Sequence, residues 1–398
     1  MNLAITNADV ITPFRILTRG KVIIERGRIA AIGNAKDIKT PHGCKVIDAD
    51  GMILTPGFVD LLVHGGGGHG FADMSVEAVE NISRFFFEHG TTGMLASLYS
   101  KREPDLVADV SRIAEYCAGA KGSNVWGIHL EGPFINREQH GAMKVEYLWK
   151  PDVEKWKRVF AASRGYIKLM TIAPELEGVE EVMREAARNG VVLSIGHSIA
   201  TYQDVLNAID NGAAHVTHMF NAMKPFHHRQ PGVIAGALLH NELKVELIAD
   251  GIHVHPAVMK LIYRVKGEGG IVLITDAIRA CGMPEGEYTF MEQKIFVKEK
   301  TAYLDDGTLA GSTLTMEEAV RIMVKEVDVP LTDAVRMASL NGAKVLGLEN
   351  RKGILAVGKD ADLVLLNNDF EVQMTLYEGE VKYAKAGLME LSIDPRTI

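Results

Sequence analysis

The sequence predicts an α/β protein built around a closed (β/α)8 barrel of the TIM type, with a small discontinuous β-sandwich domain formed by both termini. Eight short apolar runs alternate with segments of helical periodicity over roughly 250 residues, which are the dimensions of such a barrel. Strand-like segments separated by turn residues precede and follow this repeat. Four of the eight runs lead into a histidine or a carboxylate, as expected at the carboxyl ends of barrel strands, where active sites form.

The composition is that of an ordinary globular protein. Of 398 residues, 47% are hydrophobic and 24% are charged, which argues against a disordered or fibrous chain. A net charge of −8 argues against nucleic acid or an anionic membrane as a partner, but not against a small anionic substrate. The three widely spaced cysteines predict neither a disulfide framework nor a thiolate metal site. Without a signal-like start or an apolar run of membrane length, we expect a soluble, cytoplasmic protein.

Both ends of the chain carry the signals of short strands. Near the amino terminus, turn residues such as Arg26-Gly27 separate four predicted strands: Leu3–Thr6, Lys21–Glu25, Arg28–Ile32 and Lys45–Asp48. Further strands are expected at Gly353–Leu355 and Ala361–Leu366, after helices at Thr315–Glu326 and Thr332–Leu346. We therefore predict that residues 1–55 and 347–398 form one small β domain and that residues 56–346 form the catalytic barrel.

The barrel strands are predicted at the eight apolar runs Phe58–Val63, Met94–Leu98, Val125–Leu130, Ile167–Ile172, Val191–Ile195, His215–Thr217, Val245–Ala249 and Ile271–Thr275. Helical periodicity between them is clearest at Val76–Glu88, Asp152–Ser163, Val179–Asn189 and Thr201–Asn211. An open doubly wound sheet is the alternative, but it would spread the polar strand ends along a row instead of around one mouth. Two long inserts, 219–231 and 277–309, are expected to be functional loops.

The polar residues at four strand ends predict a metal site. Glu131, His197 and His218 form a donor set that suits Zn²⁺ with one position open for water, although Fe²⁺ and other first-row metals accept the same ligands. Asp276 would face that water as general base and later as general acid. Any one of these residues could instead cap a turn or hold a hydrogen bond, so the prediction depends on all four together.

Longer motifs carry a resemblance to a known family. They are Pro56–Asp60, His129–Pro133, Gly196–Ser198, Thr217–Met223, Asp250–His253, Thr275–Ala277, Leu309–Thr313 and Gly358–Leu363. In this order, over nearly the whole chain, they resemble the N-acetylglucosamine-6-phosphate deacetylases of the amidohydrolase superfamily. The resemblance implies Glu131, His197 and His218 as metal ligands and Asp276 as the acid–base group.

The same resemblance implies how the substrate is bound. Asn221, Ala222 and Arg229 would bind the sugar phosphate, often across the interface of a homodimer, and His253 would contact a sugar hydroxyl. An arginine fork and backbone N–H groups suit a phosphate. The alternatives are a surface salt bridge for Arg229 and strand-end packing for His253.

The chain departs from the family pattern at two positions. Many relatives carry His-x-His at the end of the first strand and hold a second metal, whereas this chain has Leu62-Val63-His64. One metal per subunit is therefore favoured, with His64 as a candidate second-site ligand. Some relatives place a histidine at the position of Met143 to polarise the substrate carbonyl. Met143 is itself predicted to be a substrate-binding residue. His140 lies close in sequence and is the candidate replacement for the missing histidine, and the alternative is that the metal alone polarises the carbonyl.

These observations predict a metal-dependent amide hydrolase. It would use a metal-activated water to convert N-acetyl-D-glucosamine 6-phosphate into D-glucosamine 6-phosphate and acetate, in amino-sugar breakdown or recycling. The alternatives are the galacto epimer, or a cyclic amide as in dihydroorotase-like relatives, which Glu131 disfavours because those enzymes place a carboxylated lysine there. A silent barrel acting as a binding scaffold is the non-enzyme alternative, since fold does not imply activity.

Overall fold

The structure is a computed structural model that describes residues 2–12 and 14–388. The chain divides into two compact units. One comprises Met1–Asp60, Ser83–Gly93 and the chain from Thr315 onward, and the other comprises Leu61–Ile82 and Met94–Leu314. In the described residues, no helix is both long enough and apolar enough to cross a membrane.

The first unit contains an eight-stranded sheet built from both ends of the chain. Its strands are Leu3–Ile11, Ile16–Glu25, Arg28–Asn34, Lys45–Asp48, Ile53–Pro56, Leu363–Leu366, Val372–Tyr377 and Glu380–Ala384. The turn Arg26-Gly27 has φ values of 50° and 78°, as the type I′ turn of a two-residue hairpin requires. Alternate side chains form one buried apolar cluster that includes Ile5, Val22 and Leu363. The predicted sheet from both termini is confirmed.

One predicted strand in this region is wrong. Residues 353–355 form a bend and a loop instead of a strand, and Gly353 has a left-handed φ of 83°. A Cβ at Gly353 would lie 2.9 Å from Leu340 Cα, so the backbone there is bent closely against the preceding helix. The tail strands are instead Leu363–Leu366 and the two that follow it.

The barrel consists of eight parallel strands in sequential order. They are Phe58–Val63, Thr91–Tyr99, Val125–Glu131, Ile167–Ile172, Val192–Ile195, Ala213–Val216, Lys244–Ile248 and Ile271–Ile274. The ring closes where Asp276 N–H donates to Leu62 O at 2.9 Å and His64 N–H donates to Ala277 O at 2.8 Å. The first two strands are buried along their whole length, as parallel strands covered on both faces must be. The predicted (β/α)8 barrel is confirmed.

The helices begin and end close to their predicted limits. The α-helices are Val76–Glu88, Glu103–Gly119, Val153–Ala162, Val179–Arg188, Tyr202–Asp210, Gly232–Leu239, Pro256–Lys266, Met316–Lys325, Leu331–Ala338 and Leu340–Val345, with 3-10 turns at Phe71–Asp73, Arg137–Gln139 and Val145–Tyr147. Asp152 and Thr201 start two of them by accepting hydrogen bonds from backbone N–H groups of the first turn. The single helix predicted at 332–346 is in fact two, because Ser339 leaves the helical conformation at φ −139°.

The long insert after the eighth barrel strand forms its own small sheet. Its antiparallel strands are Gly286–Phe290, Gln293–Lys298 and Thr301–Tyr303. Both connections are two-residue turns with left-handed φ values, Met291-Glu292 at 49° and 58° and Glu299-Lys300 at 51° and 62°. The insert shares a buried apolar cluster with Ala142 and Met143, in the loop that follows the third barrel strand. Two loops from different strand ends therefore meet at the mouth of the barrel.

Candidate active site

Four polar residues occupy the carboxyl ends of barrel strands. Glu131 is the last residue of the third strand, and His197, His218 and Asp276 follow the fifth, sixth and eighth strands. The last three all have left-handed backbone conformations, with φ values of 49°, 26° and 52°. Such conformations cost energy for residues with a Cβ, and they concentrate at functional sites. The chain thus turns sharply at each of these three residues.

Glu131, His197 and His218 converge on one point. His197 Nε2 lies 3.1 Å and His218 Nε2 lies 3.2 Å from Glu131 Oε1, and the two ring nitrogens are 3.1 Å apart. All three residues are buried. In the described part of the chain, these residues form a group whose ligand atoms lie within 4.8 Å of one another. Two imidazoles and a carboxylate are the donor set of a catalytic zinc site.

The protonation of His197 fits a cation at this point. Its Nδ1 lies 2.7 Å from the carbonyl oxygen of Gln139, which can only accept, so Nδ1 carries the proton. In a neutral ring the Nε2 lone pair then faces the Glu131 carboxylate, which is also an acceptor. Two acceptors at hydrogen-bond distance repel each other unless a proton, which makes one of them a donor, or a metal ion lies between them. The residues present therefore fit a divalent metal ion.

Burial and hydrogen bonding act in opposite directions on Glu131. Burial alone would raise the pKa of this carboxyl, but hydrogen bonds from His197, His218 and His64 outweigh it and hold the pKa well below its usual range. Glu131 is therefore the ionised member of the group, as a metal ligand must be.

His64 and Asp276 lie on the other side of Glu131. His64 Nε2 is 3.3 Å from Glu131 Oε2 and 3.4 Å from Asp276 Oδ1, and His64 Nδ1 is 3.1 Å from the carbonyl oxygen of Ser97. Asp276 is 8% exposed. The two carboxylates thus share one histidine neighbour, and Asp276 is held beside the point where the three ligand atoms meet.

These residues form the floor of a cavity of about 750 Å³. Its lining includes all of the predicted substrate-site residues except one: Met143, Asn221, Ala222 and His253, together with His140. The exception is Arg229, which lies on the exposed stretch 224–230 and places its guanidinium 2.8 Å from His228 Nε2. Within one chain, Asn221 and Ala222 thus line the same cavity as the polar floor, but Arg229 lies outside that cavity.

The residues around Met143 close one side of the cavity. Met143 is 2% exposed, and its sulfur accepts a hydrogen bond from Ser100 Oγ at 3.4 Å. His140 lines the cavity and its Nδ1 lies 2.7 Å from the main-chain oxygen of Met143, so its Nε2 is the ring atom left for other contacts. Of the two, His140 is therefore the residue with a polar atom to offer a substrate.

His253 is fixed by a neighbour that sequence reasoning did not single out. Asp250 Oδ2 lies 2.6 Å from His253 Nδ1, and Asp250 Oδ1 accepts the backbone N–H groups of Ile252 and His253 at 2.8 Å each. Asp250 therefore fixes both the loop and the ring, and leaves His253 Nε2 to face the cavity. The Asp-Gly-Ile-His sequence could have indicated this turn, because an aspartate side chain often accepts a hydrogen bond from the backbone two residues further on.

The insert forms part of the cavity wall and is attached to the opposite loop. Glu292 Oε2 accepts hydrogen bonds from Lys144 Nζ at 3.0 Å and Tyr147 Oη at 2.8 Å, and Gln293 Nε2 donates to Ala142 O at 2.6 Å. The hydrogen bond from Lys144 is the main cause that lowers the pKa of Glu292. The length of the insert had indicated a functional loop, but these contacts between distant segments left no sequence signal.

Comparison with known proteins places the chain in a family. Residues 53–382 match the model of the amidohydrolase family. The chain is 37% identical over 386 residues to the N-acetylglucosamine-6-phosphate deacetylase of Bacillus subtilis, covering 96% of this chain and 97% of that protein. It is 34% identical over 359 residues to the N-acetylgalactosamine-6-phosphate deacetylase of Escherichia coli O157:H7, covering 90% and 93% respectively.

A solved structure extends the likeness to three dimensions. It is a variant of N-acetyl-D-glucosamine-6-phosphate deacetylase from Mycobacterium smegmatis in complex with N-acetyl-D-glucosamine-6-phosphate. The fold matches with a TM-score of 0.90 and 35% identity, over 96% of this chain and all of that one. The likeness therefore covers both the barrel and the terminal sheet.

Proposed function

The chain belongs to the amidohydrolase family, and from this premise we propose that it hydrolyses N-acetyl-D-glucosamine 6-phosphate to D-glucosamine 6-phosphate and acetate. The observation that carries the proposal is the buried group Glu131, His197 and His218 beside Asp276, on the floor of a cavity large enough for a sugar phosphate. Relatives that carry this activity in their names cover nearly the whole chain.

The metal is proposed to be held by Glu131, His197 and His218. One divalent ion per subunit is favoured, with Zn²⁺ preferred for two imidazoles and a carboxylate and Fe²⁺ or another first-row metal as the alternative. When bound, such an ion supplies a water of lowered pKa and an electrophile for the acetyl oxygen. His64 is the candidate ligand of a second ion, since its Nε2 faces both Glu131 and Asp276.

Asp276 is proposed to move the proton. As a carboxylate beside the ligand group, it takes a proton from the attacking water and, once protonated, gives that proton to the nitrogen that leaves. Its left-handed backbone and its neighbour His64 fix the carboxylate in the mouth of the barrel. The same residue thus acts first as base and then as acid, and ends the cycle ionised.

The sugar phosphate is proposed to bind at the loops that follow the sixth and seventh strands. Asn221 and the Ala222 region would hold the phosphate, and His253, fixed by Asp250, would contact a hydroxyl. Arg229 lies outside the cavity of its own chain. In a homodimer it would reach the phosphate of the substrate bound in the neighbouring subunit. Met143 would contribute apolar contact, and His140 would take the polar role that Met143 cannot.

Three further assignments belong to this proposal. The galacto epimer is the second candidate substrate, because a relative named for it covers 90% of the chain at 34% identity. Domain limits at residues 1–55 with 347–398, and 56–346 for the barrel, and a cytoplasmic location remain predictions.

Acetate release tests the proposal. Purified protein is stripped with a chelator, reloaded with zinc, iron or manganese singly, and assayed on N-acetylglucosamine 6-phosphate, its galacto epimer and unphosphorylated N-acetylglucosamine. We expect metal-dependent release from the gluco phosphate at the highest rate. A protein that binds metal stoichiometrically but releases acetate from none of these compounds would overturn the substrate while keeping the site.

A further inference from the structure

A second cavity of about 240 Å³ lies beside the first. Residues from the first two strand ends, the loop after the eighth strand and the insert line it, among them Ala72, Tyr99, Lys101 and Arg279. Three residues line both cavities: His64, Phe290 and Met291. These three form a partition between the large cavity and the side cavity.

The partition is a packed wall. The Phe290 ring meets the His64 ring edge to face with centroids 5.2 Å apart, and it meets the Tyr99 ring at 6.0 Å. Phe290 and Met291 are 7% and 6% exposed, at the tip of the first hairpin of the insert. The near side of the wall is close to the reaction centre, since His64 Nε2 lies 3.4 Å from Asp276 Oδ1. Phe290 thus contacts His64, which in turn contacts Asp276, the proposed acid–base residue.

The order of the strands places the partition opposite the loop proposed to bind the phosphate. Around the closed ring, Asn221 and Ala222 follow the sixth strand and His253 follows the seventh, whereas His64 follows the first strand and Tyr99 ends the second. In a closed ring of eight, strands one and two lie directly across the mouth from strands five and six, whereas strand seven lies two places from strand one. An amide whose carbonyl carbon lies at the centre and whose nitrogen points toward the loop after the sixth strand directs its methyl group toward the partition.

We propose that the partition is the acyl side of the site and that Phe290 sets the longest N-acyl group that the enzyme hydrolyses. The inference rests on the proposed function and adds a specificity-determining residue to it. With Phe290 present, the wall leaves room for a methyl group. Behind the wall, the side cavity offers the volume that a longer acyl chain would need once the phenyl ring is removed.

The reaction itself is unchanged by acyl length. Water adds its oxygen to the acyl carbon, the carbon–nitrogen bond breaks, and the products are a carboxylate and the amino sugar phosphate. N-propionyl and N-butyryl glucosamine 6-phosphate therefore require no further reactant. They differ from the N-acetyl compound only in the chain that must meet Phe290.

The test compares kcat/KM for the N-acetyl, N-propionyl and N-butyryl sugar phosphates in metal-loaded protein. Phe290→Ala should raise the propionyl-to-acetyl ratio of kcat/KM roughly 10- to 200-fold over the wild type, the usual span for one methylene in an apolar pocket, and should raise the butyryl-to-acetyl ratio at least as much, because butyryl adds a second methylene. Adding Ala72→Leu to that variant should reverse the gain, because Ala72 lines only the side cavity and a leucine there refills it. Phe290→Leu keeps apolar packing and should give an intermediate ratio. It provides the test if the alanine variant is poorly folded.

Phe296→Ala is the matched control. Phe296 belongs to the same described insert, stacks on Tyr303 with centroids 6.0 Å apart and lines neither cavity. It should leave the butyryl-to-acetyl ratio at the wild-type value. Wild-type turnover of the acetyl compound with an unchanged ratio in both Phe290 variants would overturn the acyl assignment alone. Absence of turnover of any acyl sugar phosphate by the wild type would instead overturn the proposed function, and the acyl assignment with it.

Discussion

Glu246 holds the turn that delivers His218 to the mouth of the barrel. Its carboxylate Oε2 accepts the backbone N–H of His218 at 3.3 Å, and its main-chain oxygen accepts the N–H of Met219 at 2.9 Å. Glu246 is fully buried in the seventh strand, and burial alone would raise the pKa of its carboxyl. The contact with His215, 3.4 Å away, outweighs burial and, with the other histidines nearby, holds this pKa below the usual range. The left-handed φ of 26° at His218 is thus stabilised by hydrogen bonds to a single neighbour.

Removing the Glu246 carboxylate should weaken metal binding. Groups that orient a ligand histidine typically contribute about 10- to 100-fold to metal affinity, so Glu246→Leu should raise the metal Kd by that factor. Glu246→Gln keeps an acceptor for the His218 N–H and should lose less. Competition with a chromophoric chelator measures both. Ser163→Ala, which also alters a buried polar residue but one hydrogen-bonded to Phe160 O, is the control and should bind metal normally.

A mixing experiment tests whether Arg229 acts on the neighbouring subunit. Arg229→Met should raise KM for the sugar phosphate about 10- to 100-fold, the usual effect of losing a charged hydrogen bond. Co-refolded with the inactive Asp276→Asn chain, it should regain about a quarter of wild-type activity, because half of randomly formed dimers would contain one complete site. No recovery above the sum of the separate variants would show that Arg229 does not serve a partner.

The ion pair between His89 and Glu317 predicts a pH dependence of stability. His89 Nδ1 lies 2.5 Å from Glu317 Oε1, and the side chains are 29% and 14% exposed. Burial lowers the pKa of His89, but the hydrogen bond to Glu317 and the charges of Glu317 and Glu88 raise it by more, so it lies above the ordinary 6.5. Because the folded pKa is the higher one, this stabilisation is complete below pH 6.5 and is lost as pH rises through the folded pKa.

His89→Gln should therefore destabilise the protein by about 1 to 3 kcal/mol at pH 6, the usual contribution of a charged hydrogen bond, and by less at pH 9. Unfolding midpoints in urea for wild type and variant, measured from pH 5.5 to 9, give the difference in the free energy of unfolding. A difference that stayed constant across this range would contradict a protonated His89 in the folded state.

The barrel and the four polar strand ends could be predicted because the sequence shows both the repeat of strands and helices and the place of each polar residue after its strand. Apolar runs of strand length recur between helical segments, and Glu131, His197, His218 and Asp276 each follow such a run within two residues. The strand predicted at 353–355 was wrong because Gly353 adopts a left-handed turn that an apolar pattern does not encode. Helical periodicity likewise does not encode the break at Ser339, where φ is −139°.

Contacts between loops were beyond the reach of sequence reasoning. Glu292 meets Lys144 across 148 positions of the chain, and Glu246 supports His218 from a neighbouring strand, so neither pairing has a local spacing to detect. Asp250 was within reach, since its bonds to Ile252 and His253 are those of an ordinary turn. The floor of the site thus follows from local pattern, and its walls follow from tertiary structure.

The most direct test of the central claim is to measure metal content and acetate release together in wild type and Asp276→Asn. Both proteins are stripped, titrated with Zn²⁺ and assayed on N-acetylglucosamine 6-phosphate. We expect equal metal affinity and a loss in kcat of about 10²- to 10⁴-fold in the variant, because the group that moves the proton is gone while the three ligands remain. Near-normal turnover, or loss of the metal itself, in Asp276→Asn would contradict the roles assigned to these residues.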